Sequence, residues 1–256
     1  MGEIQSSFKR YEKKFLITEE QYEKLIPVLR RKMNEDKYGE YTICNIYYDT
    51  DSYDLIRTSL DKPVYKEKIR IRSYGVPKPD DKIFAEIKKK YDGVVYKRRI
   101  AASYDETKTF ITQQKLIPNN DIQIQKEILF LMNLYNPKPK AFIGYDRTAL
   151  AGKDDSELRV TFDRNIRWRN KDLDLCLGDF GEPVMKDGKI VMEIKISSAM
   201  PLWLSQVLSE NLIYPASFSK YGTCYKNFLV KDFKKETAKI VPMCSYIAEN
   251  QRREAL

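Results

Sequence analysis

Three features of the chain predict an α+β fold: an eight-stranded antiparallel β-barrel tunnel with a charged interior and helices packed outside. About eight segments alternate charged and apolar residues with a period of two, so each presents one charged and one apolar face. The charged faces are rich in Lys and Arg, yet each strand group carries a carboxylate: Glu12, Glu86, Asp163 or Glu193. Helical regions at 18–33, 104–135 and 201–232 need an apolar surface to pack on. An open antiparallel sheet with its polar side in water is the commonest way to arrange such strands. Eight strands are enough to close a barrel, and helices on its outer face turn the charges inward.

Residues 7–16 form the first strand, with Arg10, Glu12 and Lys14 on one face. Thr18 and Gln21 form a capping-box signal for a helix to about Met33, and Pro27 is expected to kink or split it. Residues 41–49 read as a second strand and 52–60 as a short helix. In the third strand, Tyr65–Tyr74, Lys66, Lys68, Arg70 and Arg72 share one face, and Glu67, Ile69 and Ile71 the other. Close like charges on a sheet repel by about 0.2–1 kcal/mol per pair, so this row needs compensation from carboxylates on adjacent strands, from solvent or from a polyanionic ligand.

Residues 83–90 place Phe84, Glu86, Lys88 and Lys90 together. The Asp92-Gly93 hairpin signal leads to a fifth strand, Val94–Ala101, with Val95, Lys97 and Arg99 aligned. The helical stretch 104–135 breaks at Pro118-Asn119-Asn120, where Asn120 or Asp121 caps the second piece. Residues 140–150 align Ile143, Tyr145 and Arg147, and residues 157–167 align Arg159, Thr161 and Asp163. A loop around Cys176–Gly188 precedes the eighth strand, Lys189–Ile196, which aligns Glu193 with Lys195. Helices at 201–212 and about 219–232 end a core of about 7–232 in one domain of 1–256, with 233–256 as a tail. Lys9, Lys13, Lys89 and Arg98 fall out of phase and face outward. Tyr145 reads as barrel packing.

Lys and Arg number 46 against 37 Asp and Glu, a net +9 that favours anionic partners. The chain has no histidine, which removes Ser-His-Asp and Cys-His catalysis and the commonest zinc sites. Cys44, Cys176, Cys224 and Cys244 are scattered and read as free thiols. There is no Walker A motif, and nothing beyond charge points to nucleic acid. With no N-terminal apolar segment and no run near the ~20 apolar residues of a membrane span, the expected location is cytoplasmic, with peripheral membrane association left open.

The chain resembles the VTC domain, the catalytic domain of polyphosphate polymerases, in the triphosphate tunnel metalloenzyme superfamily. The resemblance spans roughly residues 8–230. It rests on Phe8-Lys9-Arg10 through Lys14, Ile46-Tyr47-Tyr48-Asp49, Arg70-Ile71-Arg72-Ser73-Tyr74-Gly75, Glu86-x-Lys88, Tyr145-x-Arg147, Arg159 with Asp163, Glu193-x-Lys195 and Phe218-Ser219-Lys220. Arg10-x-Glu12-x-Lys14 stands where other tunnel enzymes have Glu-x-Glu-x-Lys, which favours the VTC branch. Ser217, and Lys138 or Lys140, depart from the basic residue and the arginine of the fungal pattern.

The resemblance implies catalytic roles for Arg70, Arg72, Lys88, Arg147 and Lys220. It implies phosphate contacts from Lys14, Lys66, Lys68, Lys97, Arg99, Arg159, Lys195 and Ser219. Glu193 is the implied ligand of Mn²⁺ or Mg²⁺, with Glu12 and Asp163 as further candidates. The expected reaction moves the γ-phosphoryl of ATP onto a polyphosphate chain. A triphosphate or polyphosphate hydrolase and a non-catalytic polyphosphate-binding module are the alternatives. ATP, polyphosphate or pyrophosphate, and a separate membrane subunit are the expected partners.

Overall fold

Antiparallel pairing organises the chain. A computed structural model describes residues 11–92, 94–231 and 233. It contains β1 (Tyr11–Ile17), α1 (Glu19–Lys32), β2 (Met33–Asp49), α2 (Asp54–Leu60), β3 (Tyr65–Tyr74), β4 (Lys82–Tyr91) and β5 (Val94–Ser103). Then follow α3 (Tyr104–Gln113), α4 (Ile122–Tyr135), β6 (Lys138–Gly152), β7 (Arg159–Arg169), β8 (Glu182–Pro183), β9 (Ile190–Ile196), α5 (Leu202–Glu210) and α6 (Lys220–Cys224). The last helix runs straight on into a π-helical turn at Tyr225–Leu229.

The strands form one sheet in the order β1-β9-β7-β6-β2-β3-β4-β5, with short β8 beside β7. This corrects the expectation of a closed eight-stranded barrel. Among the described residues there are nine strands, and the ladder is open between its edges, β1 and β5. The sheet nevertheless curves enough for Lys14 of β1 and Lys97 of β5 to line one cavity.

Local chemistry explains most element boundaries. Thr18 and Gln21 form a reciprocal capping box at the start of α1. Pro27 does not split this helix, because it and Glu23, whose carbonyl loses its partner, lie on the exposed side where water substitutes. Asp121 caps α4 by accepting from the Ile124 amide. Between β4 and β5, Tyr91 pairs with Val94 across a turn in which Asp92 takes φ 42°.

Strand β2 begins eight residues before the expected boundary. Its polar start, Met33–Tyr38, gave no alternation, but pairing with β6 holds it extended. A register shift between Glu35 and Glu40 contains Gly39 at φ +60°, a conformation that glycine adopts without strain.

Apolar faces then decide the layers. Helices α1 and α5 cover Phe15, Ile17, Phe162, Met192 and Ile194, while α3 and α4 cover Ile69, Ile71, Ala85 and Ile100. Lys89 and Arg98 point outward, as their phase requires, and reach Glu127 of α4 at 3.6 and 3.4 Å. Lys13 is exposed, whereas Lys9, Arg10 and Cys244 lie outside the described residues.

Helix α6 departs from the expectation that every helix packs outside. Tyr221 stacks on Tyr47 of the inner face, with ring centroids 4.7 Å apart. Its hydroxyl donates to Asp49 at 3.0 Å, and the same carboxylate accepts from the Leu55 and Ile56 amides that open α2. Asp49 is fully buried, so one carboxylate fastens the end of β2 to both helices. Asp49→Ala leaves three buried donors unpaired and is expected to lower unfolding stability by about 3 kcal/mol. Urea unfolding tests this: a loss below about 1 kcal/mol shows that water satisfies those donors instead.

Candidate active site

Residues of β1, β2, β3, β4, β5, β6 and β9, with α6, enclose a cavity of about 180 Å³. Nine Lys and Arg side chains line it against three carboxylates, Glu12, Glu86 and Glu193, so its walls carry a surplus of positive charge. A second cavity of about 490 Å³ continues from it, lined by Lys62, Lys66, Lys90 and Lys226. Glu12, Lys14, Lys68, Lys88 and Ser219 belong to both.

Three buried carboxylates hold the cations in place. Glu86 is only 2% exposed. It accepts from Arg70 Nε at 2.8 Å and contacts Lys97 at 2.9 Å, while Arg72 stands 3.8 Å away. Burial opposes its charge, but Arg70, Arg72 and Lys97 hold its pKa down at about 2. Lys88, two residues further along β4, interacts electrostatically with Glu12 of β1.

Asp163 makes a two-pronged pair with Arg147 at 2.6 and 2.7 Å and also accepts from Lys220. Glu193 contacts Lys14 at 3.1 Å and lies 3.9 Å from Lys220. Despite burial, Lys220, Lys14 and Arg147 keep Glu193 well below the usual carboxylate range. Glu12 shares Lys14 at 3.2 Å.

Tyr47, Asn45 and Tyr145 support the arginines. Tyr47 Oη accepts from Arg70 at 3.1 Å, and Asn45 Oδ1 accepts from Arg72 at 3.0 Å. Tyr145 lines the cavity, so its role extends beyond barrel packing. Lys220 and Arg147 lie over its ring at 4.4 and 5.3 Å. Burial pushes its phenol up, but Arg72, Arg147 and Lys220 outweigh burial and lower its pKa. Tyr47 and Asn45 share the inward phase of β2, the one signal by which the sequence could have placed them.

Of the sequence-derived candidates, Lys14, Lys68, Arg70, Arg72, Lys88, Lys97, Arg147, Lys195, Ser219 and Lys220 meet at the smaller cavity, with Glu12 and Glu193. Lys66 lies in the wider one and donates to the Ser59 carbonyl at 3.2 Å. Arg99 and Arg159 lie outside both linings: Arg99 sits over the Phe84 ring at 4.6 Å, and Arg159 faces Asp36 at 3.7 Å. Asp163 lies behind Arg147 and Lys220.

No group of three or more Cys, Asp or Glu able to hold a metal occurs among the described residues. Mg²⁺ is commonly held by one or two carboxylates completed by substrate phosphates, and Glu193 with Glu12 fits that pattern. Across the ladder from Glu193, Thr161 has a buried hydroxyl oxygen without a hydrogen-bond partner among the described residues. Asp163 fits less well, because Arg147 and Lys220 already occupy both its oxygens.

The curved sheet and helix α6 surround a cavity whose lining is predominantly cationic. The VTC domain model matches residues 9–229, and the chain belongs to that family. No curated protein matches the sequence. The fold is similar to that of a proposed adenylate cyclase from Bacillus halodurans, at TM-score 0.52 and 14% identity over 81% of this chain and 92% of that one. It is also similar to a proposed adenylyl cyclase from Hippeastrum described as having a dominant triphosphatase activity, at TM-score 0.51 and 14% identity over 84% and 94%. No helix among the described residues is long and apolar enough to cross a membrane.

Lys68 makes the cavity sensitive to pH. It donates to Ser219 Oγ at 3.1 Å, and burial followed by Lys88, Lys14, Lys66 and Arg70 pushes its pKa down to about 7. A bound polyanion favours the charged form, so binding takes up a proton wherever empty Lys68 is neutral. Tripolyphosphate affinity is therefore expected to fall as pH rises from about 7 to about 9, and Lys68→Met should flatten that profile. An unchanged pH slope in Lys68→Met would assign the titration to another group, such as Lys97, whose pKa is lowered to about 8.

Proposed function

We propose that this chain is an ATP–polyphosphate phosphotransferase. The observation that carries this reading is the continuity of the two cationic cavities through Lys14, Lys68 and Lys88. One has the size and charge for a triphosphate, and the other gives a second polyanion room to meet it end to end. A terminal phosphate oxygen of the acceptor attacks Pγ, the bond from Pγ to the β-phosphate bridging oxygen breaks, and ADP leaves. Because the acceptor oxygen is already anionic, no protein base is required.

Phosphoryl transfer depends on positioning and charge stabilisation. Arg70, Arg72 and Arg147 offer planar guanidinium groups for paired contacts to phosphate oxygens. Lys14, Lys88 and Lys220 add point charges, while Glu86 and Asp163 keep the arginines oriented before substrate arrives. Glu193 and Glu12 would hold Mn²⁺ or Mg²⁺ together with phosphate oxygens. Such an ion supplies neutralisation of charge developing on the phosphates. The Hippeastrum neighbour's described triphosphatase activity supports a second reading, in which water replaces the acceptor.

Incubation with ATP and Mn²⁺, followed by gel separation of polyphosphate and assay of free phosphate, distinguishes these readings. A polyphosphate ladder is the expected result. Free phosphate without a ladder supports the hydrolase, and tight polyphosphate binding with no turnover leaves a binding module. Glu193→Gln is expected to abolish turnover while tripolyphosphate still binds; retained turnover would refute the assigned role of Glu193. Arg72→Ala should lower kcat/KM by about 100-fold, from loss of a charge-assisted contact in the transition state.

A further inference from the structure

We infer that the end of the cavity opposite the lysine-lined chamber is a nucleobase-stacking subsite built by Tyr41, Tyr74 and Phe84. The inference rests on the phosphotransferase reading and names what selects a nucleoside triphosphate over a bare polyanion.

Strand phase puts these rings on the inner face. Tyr74 follows Arg70 and Arg72 at intervals of two on β3, and Phe84 precedes Glu86 on β4 while pairing directly with Arg72. Tyr41 pairs with Arg147 of β6. The rings therefore form the next tier beyond Arg72, Glu86 and Arg147, away from Lys66 and Lys68. Tyr41 and Tyr74 lie 5.9 Å apart, and Tyr74 and Phe84 5.8 Å apart, so the three make a continuous wall.

The wall is accessible and flanked by charge. Tyr74 is 51% exposed, so its ring is open to a ligand. Arg99 lies over Phe84, and Arg159 is among the charged neighbours of Tyr41, which places a cation on each side. These are the two arginines that the phosphate cavities leave out. Bases stack on aromatic faces and on guanidinium planes whatever their sequence. With a triphosphate on Arg70, Arg72 and Arg147, the nucleoside end reaches this tier, and the γ-phosphate faces the lysine chamber.

Calorimetric titration of the full chain with ATP and with tripolyphosphate tests the subsite. Tyr74→Leu and Tyr41→Leu, each keeping apolar bulk without a π face, are expected to weaken ATP binding about 10-fold. Tripolyphosphate binding should change less than about 2-fold, and Tyr74→Trp should restore ATP affinity. Equal weakening of both ligands, or weakening of neither, overturns the subsite while leaving the phosphate cavity intact. If the unaltered protein binds neither ligand, the phosphotransferase reading fails and this inference fails with it.

Discussion

Charge held out of water is the constraint on which this structure depends. Removing a guanidinium or ammonium from water is costly, and a row of them costs more through mutual repulsion. Glu86, Asp163 and Glu193 answer that cost at three depths. Glu86 joins cations of β3 and β5, Asp163 joins β6 to α6, and Glu193 joins β1 to α6. Each carboxylate is shared by two or more cations, so orientation is fixed while positive charge remains in excess. That excess leaves the interior net positive, and the sharing holds its cations in fixed orientations.

Curvature turns these pairs into a chamber. The sheet's two edges do not hydrogen-bond to each other, yet residues from both face the same space. Helix α6 enters the concave side, anchored by Tyr221 on Tyr47 and Asp49, and carries Lys220 and Ser219 to the charged wall. Gly222 permits this approach: a Cβ there would stand 3.1 Å from Leu60 and 3.2 Å from Ser219 Oγ. The wider chamber beyond this wall is lined by Lys62, Lys66, Lys90 and Lys226.

Much of this was legible in the chain. Alternation placed Arg70, Arg72, Glu86, Lys88, Arg147 and Glu193 on one face, and the structure has all six at one cavity. The same alternation assigned Lys89 and Arg98 to the outside. It failed where local pattern carries no long-range information. The polar start of β2 becomes a strand only because β6 supplies its hydrogen bonds, and Pro27 is tolerated only because its side of α1 is wet. Arg99 and Arg159 share the inward phase and pair with Glu86 and Lys195, yet their side chains turn to Phe84 and Asp36, because phase fixes a face and not where a long side chain ends.

The sequence by itself determined which face of each strand each charge occupies, since successive side chains must alternate. It also determined that histidine-based chemistry is unavailable, because the chain has no histidine. Only the tertiary structure decided the rest: which carboxylate holds which cation, that the ladder of described residues stays open, and that α6 lies inside. Those outcomes depend on register and curvature among strands distant in sequence. There, burial strengthens every charge pairing, and a shift of one residue would turn each side chain to the opposite face.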